Sequence, residues 1–366
     1  MAFEIFLVAP PGLEDVLADE AREKGFSVKG LIPGGVTLTG DWPEVWRANI
    51  ELRGATRVLA RIAEFRAFHL AQLDKRARKV DWAAALRPDV PVRVEATTKR
   101  SKIYHAKAAV QRIERAIHEE LGAAISKDAP VQIKARIDDN LVTISVDTSG
   151  ESLHKRGHKL FTGKAPIRET MAALFLRQAG FTGAEPLVDP MCGSGTFVIE
   201  AAEIALGLKP GRDRAFAFEH LASHDPDAVA VRNKAEAPIT TNLRFYGFDR
   251  DAGAVKGATE NAARAGVSGV TAFARAPLSE LQRPEGPPGL VMVNPPYGGR
   301  IGDRKPLFSL YGALGQVLRD RFKGWRVGIV TNDGGLAKAT GLPLLPPGPP
   351  VAHGGLKVKL YRTGSL

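Results

Sequence analysis

The chain holds one cysteine, Cys192, among 366 residues, which excludes an intramolecular disulfide and any cysteine-rich zinc site and fits a reducing compartment. Its eight histidines are scattered without metal-ligand spacing, so no metal centre is expected. No apolar run approaches the roughly 18 residues that a spanning helix requires. The opening MAFEIFLVAPPGLEDVLADE turns acidic where a secretion signal would continue apolar, so a cytoplasmic location is expected. Charged residues at 25% and hydrophobic residues at 44% leave no bias toward disorder or a fibre. With roughly 100–200 residues to a typical domain, two or three domains are expected.

What the chain has in excess is positive charge. A formal net charge of +11 suits a polyanionic partner, because lysine and arginine displace condensed counterions from phosphates. Neither half is a basic tail; the cations cluster locally. One cluster is Lys75, Arg76, Arg78 and Lys79, a second is Lys99, Arg100, Lys102 and Lys107, and a third is Lys155, Arg156, Lys159 and Lys164. Each pattern also suits an ordinary solvated face. His105, His154 and His158 lie in these basic stretches and suit surface or hydrogen-bonded roles as well as phosphate contacts.

Hydrophobic patterning divides the chain. In the first 70 or so residues, EIFLVA reads as a strand, Leu13 to Ala21 as a helix, GGVTLTG as an edge strand, Trp42 to Leu52 as a helix and RVLARIAEF as a strand, giving a small α+β module. A second module follows, with a strand at Val92 to Ala96, a helix from Ile103 to Leu121, and a hairpin of VQIKARI and LVTISV turning at Asp139-Asn140. Ile103, Ala106, Val110, Ile113 and Ile117 fall on one helical face and read as core. From about Pro166, helices and strands alternate as in an α/β fold with a mostly parallel sheet. A last strand, LKVKLYR, is expected to close an edge of it.

Three segments fall where strands of such a sheet end, the rim at which ligands bind. Strand PLVD runs into Asp189-Pro-Met-Cys-Gly-Ser-Gly-Thr196, where glycines let a ligand approach the start of a helix. A GxG after a strand fits nucleotide or dinucleotide binding equally well. GFDRD places Asp249 at the next strand end, suited to ribose hydroxyls or to capping a helix. GLVMV then ends in Asn294-Pro-Pro-Tyr297. Here the Asn oxygen and the Pro295 carbonyl can both accept hydrogen bonds from one exocyclic amino group, and Tyr297 offers a ring for an extruded base. A proline turn with a packed Tyr is the bland alternative. Cys192 reads as a packed small thiol and not as a covalent nucleophile.

The motifs DPMCGSGTFVIEAA, GFDRD and NPPYGGRIG resemble the cofactor loop, ribose-binding acid and catalytic loop of class I S-adenosylmethionine-dependent methyltransferases acting on amino nitrogens. Similar loops serve DNA adenine methyltransferases and glutamine methyltransferases of release factors. The preceding KRSKIYHAKAAVQRIERAI and SGESLHKRGHKLFTGKAPIRETMAAL resemble the junction between a THUMP RNA-binding domain and its catalytic domain in the bacterial 23S ribosomal RNA guanine-N2 methyltransferases. The resemblance implies a ferredoxin-like segment at 1–68, a THUMP domain at 69–157 and a Rossmann-like methyltransferase domain at 158–366. It implies S-adenosylmethionine as cofactor and structured RNA as partner, ribosomal before transfer RNA. By the same resemblance, Pro166, Asp189, Pro190, Gly193, Gly195, Thr196 and Arg250 contact the cofactor and Asp249 its ribose. Asn294, Pro295, Pro296 and Tyr297 hold the target base, and Lys99, Arg100, Lys102, Lys107, Lys155, Arg156 and Lys159 bind RNA. The sequence departs from many methyltransferases after the third strand of the catalytic domain. Phe273-Ala-Arg-Ala-Pro-Leu-Ser279 lacks the usual adenine-binding Asp, which leaves adenine to the backbone or Ser279.

Overall fold

The computed structural model describes residues 2–163, 166–233, 239–297 and 305–366. Lys164 of the third basic cluster, and the end of the NPPYGGRIG motif, lie outside the described residues. The chain runs β1 (Phe3–Val8), α1 (Glu14–Glu23), β2 (Ser27–Ile32), β3 (Gly35–Gly40), α2 (Trp42–Glu51), β4 (Arg57–Arg66), α3 (Leu70–Ala77), β5 (Val92–Lys99), α4 (Ala106–Leu121), β6 (Val131–Asp138) and β7 (Leu141–Asp147). It continues α5 (Glu169–Gln178), β8 (Leu187–Asp189), α6 (Thr196–Ala205), α7 (Pro226–Asn233), β9 (Phe245–Asp249), α8 (Ala252–Arg264), β10 (Thr271–Arg275), β11 (Leu290–Val293), α9 (Lys305–Arg321), β12 (Arg326–Thr331), α10 (Gly334–Ala339), β13 (Val351–His353) and β14 (Leu356–Arg362). No described helix is long and apolar enough to cross a membrane.

Two compact units result. The first comprises Met1–Ala9, Ala18–Leu153 and Gly211–Lys234. It is built on one sheet, ordered β2-β3-β1-β4-β7-β6-β5, so both front modules share a single layer through the pairing of β4 with β7. β6 and β7 form the expected hairpin. Asp139 and Asn140 take φ of 51° and 61°, the two left-handed positions that a two-residue turn demands to match strand twist. β3 is not an edge, as GGVTLTG had suggested, because β2 pairs outside it. SVKGLI hid β2, since its pairing slips between Val28 and Gly30 and blurs the period-two alternation. α4 begins at Ala106, later than Ile103, although Ile103 is still buried.

The second unit comprises Pro10–Leu17, His154–Pro210 and Ala235–Leu366. Its sheet runs β10-β9-β8-β11-β12-β14-β13, with β8 to β12 parallel and β14 antiparallel to β12. The order reverses direction between β8 and β11, the switch point at which doubly wound sheets open a crevice at their carboxyl rim. LKVKLYR therefore lies inside the sheet as β14. The edge is the three-residue β13, returned by Gly354 and Gly355 at φ of 55° and 82°. Tyr311, Leu314 and Leu318 of α9 pack with Phe322 and Trp325 against Val188, Val291 and Ile329. That core fixes β8, β11 and β12 relative to one another, and with them the loops that leave their ends.

Candidate active site

The loop from β8 to α6 is held by its own backbone. Asp189 Oδ1 accepts from the Met191 amide at 3.0 Å, and Gly195 donates to the Cys192 carbonyl at 2.7 Å. Gly193 and Gly195 sit at φ of 52° and 79°, conformations that cost other residues energy. A Cβ on Gly193 would meet nothing within 4 Å, whereas one on Gly195 would come within 3.1 Å of Ala258 and Phe273. The first glycine thus leaves room beside the loop, and the second lets α6 close onto α8 and β10.

Asp249 at the end of β9 faces this loop. Its Oδ2 accepts from the Gly193 amide at 3.0 Å and its Oδ1 from the Asp251 amide at 2.9 Å, which fixes the carboxylate plane. Each oxygen keeps capacity for another donor. Asp189 is buried, and burial, with the nearby Asp249 charge, lifts its carboxyl to about 8. Burial also pushes the Cys192 thiol up, which makes it unreactive.

Both acids line one cavity of about 650 Å³ in the second unit, a volume suited to a cofactor-sized molecule. Pro166, Pro190, Gly193, Thr196 and Arg250 line it too, as do Asn294, Pro295, Pro296 and Tyr297 from the β11 end. Gly195 stands behind the loop and is not part of the lining. The β11 loop leaves the sheet next to β8. Tyr311 of α9, fully buried, donates its hydroxyl toward the Pro296 carbonyl at 3.4 Å or Thr331 Oγ1 at 3.2 Å. Tyr297 is half-buried, and its phenol is pushed up to about 12 by that burial. Ala276, Pro277, Leu278 and Ser279 supply the wall after β10, where the sequence lacked an acid.

Two features escaped sequence reading. Asn261, fully buried on α8, accepts from the amides of Leu160 and Phe161, each at 3.2 Å. It also donates to the carbonyls of Phe161 at 3.0 Å and Ser194 at 3.1 Å. It ties the segment leading to Pro166 onto the glycine loop, and nothing in the helix period of α8 marks an asparagine as such a tie. The second feature is the destination of the third basic cluster. Arg156, expected on an RNA surface, is buried and paired with Glu200 of α6 at 3.4 Å. Lys159 is largely turned inward to Glu169 at 3.2 Å and the Ile167 carbonyl at 2.8 Å. Glu200 and Glu203 stand on buried positions of α6, so cations from this segment are needed to neutralise them. Lys155 remains exposed, as do Lys99, Arg100, Lys102 and Lys107 on the first unit.

The cavity's donors fit an adenosyl amino-acid cofactor. The Asp249 carboxylate and the buried Asp189 carboxyl suit hydroxyls and the amino-acid end, a glycine leaves space beside a helix start, and the wall after β10 is mostly apolar.

Comparison with known proteins agrees. Residues 156–342 match the family model described as "RMKL-like, methyltransferase domain", and residues 4–59 match the "RlmL ferredoxin-like domain". The ribosomal RNA large subunit methyltransferase K/L of Marinobacter nauticus is 34% identical over 92% of this chain and 49% of its own length. The chain thus spans about half the length of the first curated relatives it matches. A Synechocystis protein provisionally named as an RNA methyltransferase is 30% identical, covering 92% of this chain and 90% of that one. A Clostridium difficile crystal structure, provisionally described as a methylase, superposes with a TM-score of 0.92 at 29% identity, covering 100% and 99% of the two chains. SMU.472, a methyltransferase by provisional description, was crystallised with SAH, the demethylated cofactor. It gives a TM-score of 0.89 at 30% identity, covering 100% and 98%. With its ferredoxin-like front segment and its catalytic unit both matched, the chain belongs to the RMKL-like family of S-adenosylmethionine-dependent methyltransferases.

Proposed function

We propose that this protein transfers a methyl group to the exocyclic N2 of a guanine in large-subunit ribosomal RNA. The observation that carries this reading is the meeting of Asn294 and Pro295 with Asp189, Asp249 and Gly193 around one cavity, at the switch point of the sheet. The name of the Marinobacter relative supports the ribosomal substrate, and the resemblance of the front half and linker supports guanine N2. In this assignment residues 1–68 are the ferredoxin-like segment, 69–157 the THUMP domain and 158–366 the catalytic domain.

S-adenosylmethionine supplies a methyl carbon made electrophilic by its sulfonium. Asp249 would receive its ribose hydroxyls, Asp189 and the Gly193 side of the loop would hold the amino-acid end, and Ala276 to Ser279 would meet the adenine. The guanine amino nitrogen is a poor nucleophile, because its lone pair is delocalised into the ring. The Asn294 side-chain oxygen and the Pro295 carbonyl accept hydrogen bonds from its two N–H groups, which favours a pyramidal nitrogen and aims the lone pair, and the methylated nitrogen releases one proton to water. Pro295 and Pro296 hold these acceptors at fixed φ, so little order is lost when the base enters. Tyr297 stacks on the extruded ring as a neutral phenol.

A second reading has a specific support. A Listeria monocytogenes structure, 28% identical with a TM-score of 0.90, is described provisionally as an N6-adenine-specific DNA methylase, and adenine N6 is also an exocyclic amino group. Purified protein and methyl-labelled cofactor, offered large-subunit RNA, transfer RNA and duplex DNA separately, distinguish the cases. The expected product is N2-methylguanosine in large-subunit RNA alone. Label in transfer RNA alone, or N6-methyladenine in DNA, would overturn the assignment.

A further inference from the structure

One end of the first unit's sheet carries exposed aromatic rings among cations. Tyr104, 71% exposed, lies in the loop between β5 and α4 with its ring 4.2 Å from that of His105. Phe68, 40% exposed, follows β4, and the Lys102 ammonium lies 5.6 Å from its ring centre. Exposed rings grouped with cations at one sheet end make a surface on which the flat face of a base can stack.

The backbone around these rings is firmly built. The Lys102 amide donates to Asn140 Oδ1 at 2.8 Å and the Asn140 amide to Ser101 Oγ at 3.0 Å. Ala67 donates to the Asn140 carbonyl at 2.9 Å, and Thr98 Oγ1 to the Tyr104 carbonyl at 3.2 Å. The loop, the hairpin turn and the end of β4 therefore form one platform, so the rings are presented without first having to be ordered. Around it, Asp138 is taken up by Arg100 and Arg136, each at 2.8 Å, while Lys99 and Lys107 stand exposed. α4 begins without an acidic residue in its first turn, which leaves the local field positive.

We infer that this platform docks an unpaired stretch of RNA, stacking bases on Tyr104 and Phe68 and setting phosphates against Lys99, Lys102 and Lys107. A duplex presents phosphates but hides its base faces, so cations alone would serve it; exposed rings beside the cations select a strand with free bases. An acidic peptide would use the lysines and leave Tyr104 idle. The inference rests on the RNA reading proposed above and adds which form of RNA the front unit grips.

The test is fluorescence anisotropy with labelled oligouridine and with a blunt RNA duplex, using the full chain and its Tyr104→Ala, Tyr104→Phe and Lys102→Ala variants. Tyr104→Ala should lose about tenfold in affinity for oligouridine, the loss of one stacked base, and change duplex binding less than twofold. Tyr104→Phe should bind as the parent does, because the ring is kept. Lys102→Ala should weaken both probes and lower the salt slope by about one ion. Equal loss on the two probes, or none in Tyr104→Ala, would overturn the stacking platform while leaving the RNA assignment standing. A parent chain that binds neither probe, yet methylates DNA, would overturn both.

Discussion

Adding one methyl group at each of the two loop glycines should separate their roles. Both positions are left-handed, so alanine costs about 1–2 kcal/mol in either on backbone grounds alone. At Gly193 nothing stands within 4 Å of the new Cβ, and the total should stop there. At Gly195 the Cβ would lie 3.1 Å from Ala258 Cβ and from the Phe273 ring, which adds the crowding cost of an overfilled contact, about 1–2 kcal/mol more. Gly195→Ala should therefore lower the unfolding midpoint roughly twice as far as Gly193→Ala, at about 2–4 °C per kcal/mol for a unit of this size. Cofactor affinity should rank the other way. Gly193 lines the cavity, so its methyl group takes space from the ligand, and SAH binding by calorimetry should weaken about tenfold, or ~1.4 kcal/mol. Gly195→Ala, once folded, should bind SAH within about threefold of the parent, ~0.7 kcal/mol. Equal losses of midpoint in the two variants, or unchanged SAH affinity in Gly193→Ala, would refute the assignment of one glycine to ligand room and the other to helix packing.

Other outcomes follow from the same geometry. Asn294→Ala should lower kcat by about 100-fold or more, as for removal of a group matched to the transition state, with SAH and RNA affinities nearly unchanged in binding assays. A parallel loss of SAH affinity would move Asn294 from the base to the cofactor. The Asp189 carboxyl, lifted to about 8 in the folded protein from an ordinary value of 3.8, binds its proton more tightly when folded. Its contribution to stability is full below about pH 4 and falls as pH rises through about 8, and urea denaturation of Asp189→Asn should show that decline removed. Arg156→Ala leaves Glu200 buried with a main cation gone, and should cost about 3–5 kcal/mol in chemical denaturation while the salt slope of RNA binding stays as in the parent. A changed slope with unchanged stability would return Arg156 to the RNA surface.

The motif order brought its residues to one candidate cavity, because strand ends are written in the sequence. Short apolar runs ending in Asp189, Asp249 and Asn294 leave few places for these residues other than the rim of a parallel sheet, and the strands they end lie side by side there. The hairpin at Asp139-Asn140 was equally legible, since its turn is local chemistry. β2, interrupted by an irregular pairing, and the three-residue β13 carried too little periodicity to be seen.

What the sequence determined by itself was therefore the α/β class, the order of the strand-end motifs and the excess of positive charge. Only the tertiary structure decided which cations face water. Lys99 and Arg156 look alike along the chain, but α6 brings two acids to buried positions beside the second, and a buried carboxylate requires a partner. Packing also gave Asn261 its four hydrogen bonds between a segment about a hundred residues away and the glycine loop, and it drew the two front modules into one sheet. Such pairings depend on groups far apart in the chain, and local propensity holds no record of them.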